Sequence, residues 1–326
     1  MPRRFFQVLI CLTFLFFMLS IPWGKLFTTL HEVQIIKHRG DENEKTIPLK
    51  EVHLSPKALE NKLHRIVSKA AVAVDIEKGE ILFEKNMEEP TPIASLTKLM
   101  TILVFLEQNP NLDDSATITP ADAESSGRSR LRIGETLALR DLLHASLMSS
   151  SNLATKSLVR VSGLPYDEFI DRMNQKAKEI GLENTRFYEP TGLDQNNQST
   201  ALDCARLLCF ALMDEKIASI TSKEAYTFAS LYKKKRRIHQ ISNTNKLLSS
   251  SLNIKGGKTG YIGASGFCLA TLVENDDGTK IATVVLGAPS SFARFKETKS
   301  IIKWSSLQQV EDGKRSRTTQ KTNEGT

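Results

Sequence analysis

The sequence has little of what builds metal or disulfide sites. It carries four cysteines, Cys11, Cys204, Cys209 and Cys268, with no C-x-x-C pair, and its six histidines are scattered. No His/Cys group has metal-ligand spacing, so no zinc site is visible and no metal or organic cofactor is expected. Cys204, Cys209 and Cys268 sit in apolar segments and read as buried free thiols. There is no internal repeat. The formal net charge is +7, but much of the excess lies in the tail and in the run Lys233-Lys234-Lys235-Arg236-Arg237. That distribution argues against a nucleic-acid-binding protein, and the run reads as a solvated loop or hairpin before it reads as a contact for lipid or wall polymer. Long apolar runs are missing too, with one exception. Arg3 and Arg4 precede an apolar stretch from Phe5 to Trp23, broken only by Gln7, Thr13 and Ser20. A bilayer span needs about 20 such residues. The positive flank directs export with the N-terminus inside. No small-x-small cleavage site follows, so residues 1–23 read as an uncleaved membrane anchor, with a cleaved signal as the alternative. Either way the rest of the chain is expected outside the cytoplasm, anchored or secreted.

What is present is enough for a real core: 326 residues, 40% hydrophobic and 25% charged. Residues 24–58 are mixed and polar and read as a stalk, and residues 59–68 as a short helix that opens a catalytic domain over 59–306. Ala70 to Asp75 reads as a strand, Glu77-Lys78-Gly79-Glu80 as a turn, and Ile81 to Phe83 as the return strand. A helix starts near Ser95, with Leu96, Leu99, Met100, Leu103 and Val104 at helical spacing. Residues 110–135 are turn-rich. Leu139, Leu142, Leu143, Ser146 and Leu147 mark a second helix, and further helices are expected over 165–181 and 200–213. β-like segments flank the basic run. Strands return from Ile254, over Gly266 to Val273 and over Ile281 to Leu286, before a last helix at 292–304. Residues 307–326 read as a polar, basic, disordered tail. Strands at both ends with helices between imply an α+β domain: one mainly antiparallel sheet, packed by helices, with a helical subdomain.

Three short motifs carry the chemistry. Ser95-Leu96-Thr97-Lys98 is an S-x-x-K at a helix start. Its spacing puts hydroxyl and ammonium on one helix face. A serine becomes a nucleophile when a base takes its proton, and a lysine can act as that base once burial or a nearby cation lowers its pKa. The helix N-terminus also favours negative charge on a substrate oxygen. Ser150-Ser151-Asn152 is an S-x-N, able to relay a proton and hold an amide. Lys258-Thr259-Gly260, after Gly256-Gly257, is suited to a carboxylate beside an edge strand, with glycine letting the backbone pass close to a ligand. Each is weak alone. Their order, with gaps of roughly 50 and 110 residues, is the signature shared by penicillin-binding proteins and class A β-lactamases.

The chain resembles the low-molecular-mass D-alanyl-D-alanine carboxypeptidases of serine peptidase family S11 over roughly residues 69–304. AAVAVDIEKGEILFEKNMEEPTPIASLTKLM is similar to that family's first hairpin and nucleophile helix, and RSRLRIGETLALRDLLHASLMSSSNLA to its S-x-N region. MNQKAKEIGLENTRFYEPTGLD with STALDCARL is similar to its helical insert, and IKGGKTGYIGASGFCLATLVENDDGTKIATVVLGAPS to its closing strands. The resemblance implies the DD-peptidase/β-lactamase-like fold and release of the terminal D-Ala from peptidoglycan stem peptides. It makes Ser95 the acylated nucleophile and Lys98 the general base. Ser150 and Asn152 would assist proton transfer and position the peptide. Lys258, Thr259 and Gly260 would line the carboxylate site, helped by Arg294, whose other reading is a solvated arginine at a helix start. The backbone amides of Ser95 and Tyr261 would form the oxyanion hole. β-Lactams would acylate Ser95.

There are departures. A second, β-rich domain and a C-terminal amphipathic anchor are not seen after Trp304, which would leave the N-terminal segment to hold the enzyme at the membrane. Glu189 stands where the family usually has asparagine before P-x-G-L, and Tyr261 where many members have histidine. Cleavage of peptide cross-links by a DD-endopeptidase is the nearest alternative. A β-lactamase would need a water-activating carboxylate. Glu189-Pro190 fits poorly, since Leu193 and Asp194 come one residue late, and Glu189 reads as a loop residue. A non-catalytic wall-binding protein would not need Ser95, Lys98 and Lys258 together. Asn243 and Asn245 lie either beside the site or in a turn.

Overall fold

The structure is a computed structural model. It describes residues 48–49, 51–55, 66–127, 129–231 and 236–323, with side chains to residue 307. The N-terminal apolar run, the stalk up to residue 47, the helix expected over residues 59–65 and Lys233-Lys234-Lys235 lie outside the described residues.

The strands, in chain order, are β1 (His53–Leu54), β2 (Ala70–Asp75), β3 (Glu80–Lys85), β4 (Thr91–Pro92), β5 (Ser115–Thr117), β6 (Thr136–Ala138), β7 (Gln198–Ser199), β8 (Ala225–Ala229), β9 (Ile238–Ser242), β10 (Ile254–Ile262), β11 (Gly266–Glu274) and β12 (Lys280–Ala288). Six of them form the main sheet in the order β1-β3-β2-β12-β11-β10. It is antiparallel except where the short β1 lies parallel to β3. The two ends of the domain thus close one sheet, and β10, with its Lys258-Thr259-Gly260, is left at an edge.

Side-chain alternation explains why this sheet is apolar on both faces. Every residue of β2 is buried. Ala70, Val72 and Val74 join the large core shared with the helical part, whereas Ala71 and Ala73 join a second core on the opposite face. β12 divides the same way, with Ala282, Val284 and Leu286 on one side and Ile281 and Val285 on the other. The second core is covered by the C-terminal helix through Ile301, Ile302 and Trp304, whose ring meets Phe83 edge-on at 6.0 Å.

On the first face lies the helix Thr97–Glu107, buried without a break from Thr97 to Phe105. A helix apolar nearly all round belongs at the centre of a core. Each large apolar side chain it buries contributes about 1.5–3 kcal/mol. It ends where Asn109 takes a positive φ of 51° ahead of Pro110. Around it stand the helices Leu139–Leu147, Asn152–Arg160, Tyr166–Glu179 and Ala201–Ala211. Three of the described helices were not legible in the sequence, the shortest being Pro120–Ala123 in the stretch that reads as turn-rich. Asn152–Arg160 begins in a serine-rich stretch that reads as a turn, but the Ser151 hydroxyl caps it by accepting from the Ala154 N–H. Glu215–Thr221 is capped by Asp214.

The last helix runs from Ser291 to Asn323, past the end expected at residue 304. No proline follows Pro289 to stop it, so the tail read as disordered is helical as far as Asn323. Residues 66–68 are irregular rather than helical. Three cysteines, Cys204, Cys209 and Cys268, are buried free thiols, as expected.

Candidate active site

The site forms where the start of the central helix meets the edge strand β10. Ser95 lies in a 3-10 turn, Ala94–Leu96, that runs straight into the helix Thr97–Glu107. Ala94 holds a positive φ of 49°, a strained conformation for a residue with a Cβ. Two glycines press against this turn. A Cβ on Gly260 would come 2.8 Å from Ile93 O and 3.1 Å from Ser95 N. A Cβ on Gly192 would overlap Ala94 O at 1.9 Å. Strand β10 therefore runs against the nucleophile turn on one side and a loop packs against it on the other.

One helical turn places Lys98 beneath Ser95. Lys98 is 0% exposed, and its Nζ lies 2.9 Å from Ser95 Oγ, 2.7 Å from Asn152 Oδ1 and 2.5 Å from Thr191 O. Burial pushes its pKa down to about 7, against the opposing pull of the Glu189 carboxylate. A lysine so placed is neutral for a large part of the time near pH 7, and a neutral amine can accept the Ser95 proton.

The S-x-N segment enters from the turn between the helices Leu139–Leu147 and Asn152–Arg160. Ser150 has a positive φ of 59°, and its Oγ accepts from Lys258 Nζ at 2.9 Å. Asn152 gives its carbonyl to Lys98 and donates Nδ2 to Ser126 O at 3.0 Å, which fixes the amide orientation. Lys258 is also buried, and its pKa is lowered strongly by burial and then by the neighbouring charges of Lys98 and Arg294. Thr259 Oγ1 lies 2.6 Å from Thr244 Oγ1, and Thr244 in turn bonds Met148 O through both its N–H and its hydroxyl. A hydroxyl chain thus ties β10 to the helical part. The three motifs, far apart in sequence, come together as Ser95–Lys98–Asn152 and Ser150–Lys258, with Thr259 and Gly260 on the adjoining strand.

Tyr261 is half exposed and stacks on Phe267 at 4.2 Å. Arg294 is not a solvated helix-start residue: it is 6% exposed, with Nη1 donating to Gly260 O and Cys268 O at 3.1 and 3.2 Å. Its guanidinium lies over Phe295 at 4.5 Å, and burial lowers its pKa to about 10. It braces the Lys258-Thr259-Gly260 strand from behind. Asn243 and Asn245 hold turns: Asn243 donates to Thr221 O and Lys223 O, and Asn245 caps the 3-10 turn Lys246–Ser249. Between them Thr244, which the sequence did not single out, is the residue that reaches the site.

Glu189 lies in a loop, as expected. It is no idle loop residue. Its carboxylate accepts the N–H groups of Thr191, Gly192, Leu193 and Asp194. Those bonds shape the loop that presents Thr191 O to Lys98. Asn197, wholly buried, completes the loop by accepting from Tyr188 N and Glu189 N and donating to Thr97 Oγ1 and Glu189 O. The helix signals this in its polar exceptions: Thr97, Lys98 and Thr101 all face that loop, Thr101 through Pro190 O at 2.6 Å.

A serine hydroxyl bonded to a buried lysine, beside Ser150 and Lys258 and under an edge strand, defines a serine acyl-enzyme site of the penicillin-recognising kind. The comparisons narrow the class. The family model of D-alanyl-D-alanine carboxypeptidases, peptidase family S11, matches residues 56–290, and the chain belongs to that family. D-alanyl-D-alanine endopeptidases of Pseudomonas aeruginosa and Escherichia coli are 33% and 34% identical over 75% and 76% of this chain and 79% of each relative. The D-alanyl-D-alanine carboxypeptidase DacF of Bacillus subtilis is 33% identical over 68% of this chain and 57% of its own length. The fold matches the Streptomyces K15 DD-transpeptidase with a TM-score of 0.70 and 28% identity, over 74% of this chain and 98% of that one.

Proposed function

We propose that this chain hydrolyses the peptide bond that follows a D-alanine in bacterial wall peptides, through an acyl-enzyme on Ser95. The observation that carries the reading is the contact of the fully buried Lys98 Nζ with the part-buried Ser95 Oγ at 2.9 Å. Neutral Lys98 takes the Ser95 proton as Oγ attacks the D-Ala carbonyl. The Ser95 and Tyr261 backbone N–H groups hold the oxyanion. The C–N bond breaks and the leaving amine takes a proton from the Ser150 hydroxyl, which Lys258 Nζ resupplies across 2.9 Å. Lys98 gives up its proton to solvent and Lys258 regains one from it. Neutral Lys98 then takes a proton from the attacking water, the ester C–O bond breaks as that proton passes to Ser95 Oγ, and the acid product leaves. Lys258 and Thr259 hold the carboxylate of the departing residue. A β-lactam, whose amide imitates the D-Ala-D-Ala end, acylates the same serine. The chain works outside the cytoplasm, held at the membrane by the segment Phe5 to Trp23.

Two substrates fit this chemistry, because each places a D-alanine carbonyl before the bond that breaks. Cross-linked peptides, cut as an endopeptidase cuts them, are the better supported. Relatives named for that activity share 33–34% identity with this chain over 79% of their length. Release of the terminal D-Ala is the second reading, supported by the description of the matching family and by DacF. The test is mass spectrometry of the full chain after incubation with a muropeptide mixture and, separately, with penicillin. Cross-linked dimers turning into monomers, with a penicilloyl adduct on Ser95, is the expected result. Loss of one D-Ala from pentapeptides with dimers intact would move the assignment to the carboxypeptidase. No adduct and no product would overturn both.

A further inference from the structure

We propose that Glu189 is a positioning residue for Ser95 and Lys98: it fixes the loop that gives Lys98 its carbonyl partner and that closes against the backbone of the nucleophile turn. This inference rests on the acyl-enzyme reading of the site and adds a residue to it.

The stretch from Pro190 to Asn197 contains no helix or strand, and its backbone bonds lie at its far end, Asn197 N to Asp194 O and Ile93 N to Asn197 O. One carboxylate does much of the work of fixing its path. Glu189 Oε2 accepts from Thr191 N at 2.8 Å and from Thr191 Oγ1 at 2.6 Å. Oε1 accepts from Leu193 N at 2.8 Å, from Asp194 N at 3.4 Å and from Asn197 Nδ2 at 3.1 Å, and Gly192 N also points at it. Successive N–H groups gathered on one anion make a nest, and such an arrangement calls for a full negative charge at its centre. Turning these N–H groups outward to Glu189 leaves the Thr191 carbonyl facing inward. There it accepts from Lys98 Nζ at 2.5 Å and lies 3.4 Å from Ser95 Oγ. The same fold of the loop brings Gly192, at φ 83°, against Ala94 O, where no side chain fits.

Glu189 also acts through its charge. Lys98 is lined by the neutral Ser95 hydroxyl, Asn152 amide and Thr191 carbonyl. The charged groups that bear on it are the Glu189 carboxylate and the Lys258 ammonium. Glu189, Asp167 and Asp194 bear in turn on the Tyr166 hydroxyl. The carboxylate stabilises the protonated amine and so opposes burial. Without it, the neutral form of Lys98 would dominate down to a lower pH.

The test is the pH profile of penicillin acylation in the full chain and in E189Q and E189D. The wild-type rate should rise through an acid limb near pH 7. Glu189→Gln keeps the size of the side chain but brings an NH2 group against the N–H nest. It should lower the plateau by about 10- to 100-fold, as sub-ångström displacement of catalytic groups does, and move the acid limb to lower pH. Glu189→Asp keeps the charge and should restore part of the plateau and hold the limb near that of the wild type. Folding is checked by circular dichroism and thermal unfolding. A folded E189Q protein with the wild-type plateau and limb overturns the proposal. A purely structural role would reduce the amount of active protein without moving the limb, and that outcome also overturns it. If the wild-type chain itself forms no adduct, the failure lies in the acyl-enzyme reading and not in Glu189.

Discussion

The active site is held from two sides, and the two sides are built differently. On one, β10 delivers Lys258, Thr259 and Gly260. Its position follows from an extended ladder with β11, from Ile254 paired with Val273 to Ile262 paired with Gly266. On the other, the loop from Glu189 to Asn197 delivers the Thr191 carbonyl and presses Gly192 on the nucleophile turn. Two side chains, Glu189 and Asn197, carry much of its geometry. A ladder spreads positional control over many backbone bonds that no single substitution removes. A loop of this kind concentrates control in a few polar groups. Single changes on the loop side should therefore disturb stability and catalysis together, whereas changes on the strand side should disturb the groups they remove more than the stability of the fold.

The largest effect should come from the group both sides serve. Ser95→Ala should give no penicilloyl adduct and no peptide product by mass spectrometry, with unchanged thermal unfolding. Any remaining acylation would mean that the two sides enclose a different nucleophile. Converting Lys98 to Ala should slow acylation by about 10²-fold or more in stopped-flow measurements, because the base is gone. An unchanged rate would remove Lys98 from that role.

The comparison sharpens with one variant from each side. Asn197→Ala strips the partners from Tyr188 N and Glu189 N. It should cost about 1–3 kcal/mol in denaturant unfolding and lower acylation about tenfold through the displaced loop. Thr259→Val removes the bond to Thr244 but leaves the ladder whole. Its stability loss should stay at about 1 kcal/mol, with KM for the peptide rising more than kcat falls. If both variants lose equal stability, the distinction between ladder and loop fails.

The smallest perturbation changes no residue. With the pKa of Lys98 near 7, taking the wild-type protein from pH 8 to pH 6 protonates the base and should slow acylation about tenfold. The sign follows from the base having to be neutral to accept the Ser95 proton. A rate flat over that range would mean that Lys98 titrates elsewhere or is not the base.

The strand side was legible in the sequence. Gly256-Gly257-Lys258-Thr259-Gly260 ahead of a strand pattern announces an edge strand that passes close to something, and the S-x-x-K spacing alone puts Lys98 under Ser95. The loop side was not legible. Glu189 looked like a surface acid because its partners are backbone N–H groups, which carry no residue identity. Thr191 meets Lys98 through its carbonyl, a group that every residue type carries. Thr244 was overlooked between two asparagines that only hold turns. Arg294 could be read only as an arginine near a helix start, and its burial behind β10 was not foreseeable from that.

By itself, then, the sequence determined the sheet with both ends of the domain in it, the central helix and the three motifs. Those features are written in local periodicity and in short spacings that a helix or strand converts directly into geometry. Only the tertiary structure decided how Ser150 meets Lys258 across 108 positions, why Lys98 loses its proton near neutrality, and what holds Thr191 O against it. These depend on burial and on backbone groups brought together from distant segments, and neither is encoded in the identity of the residues that provide them.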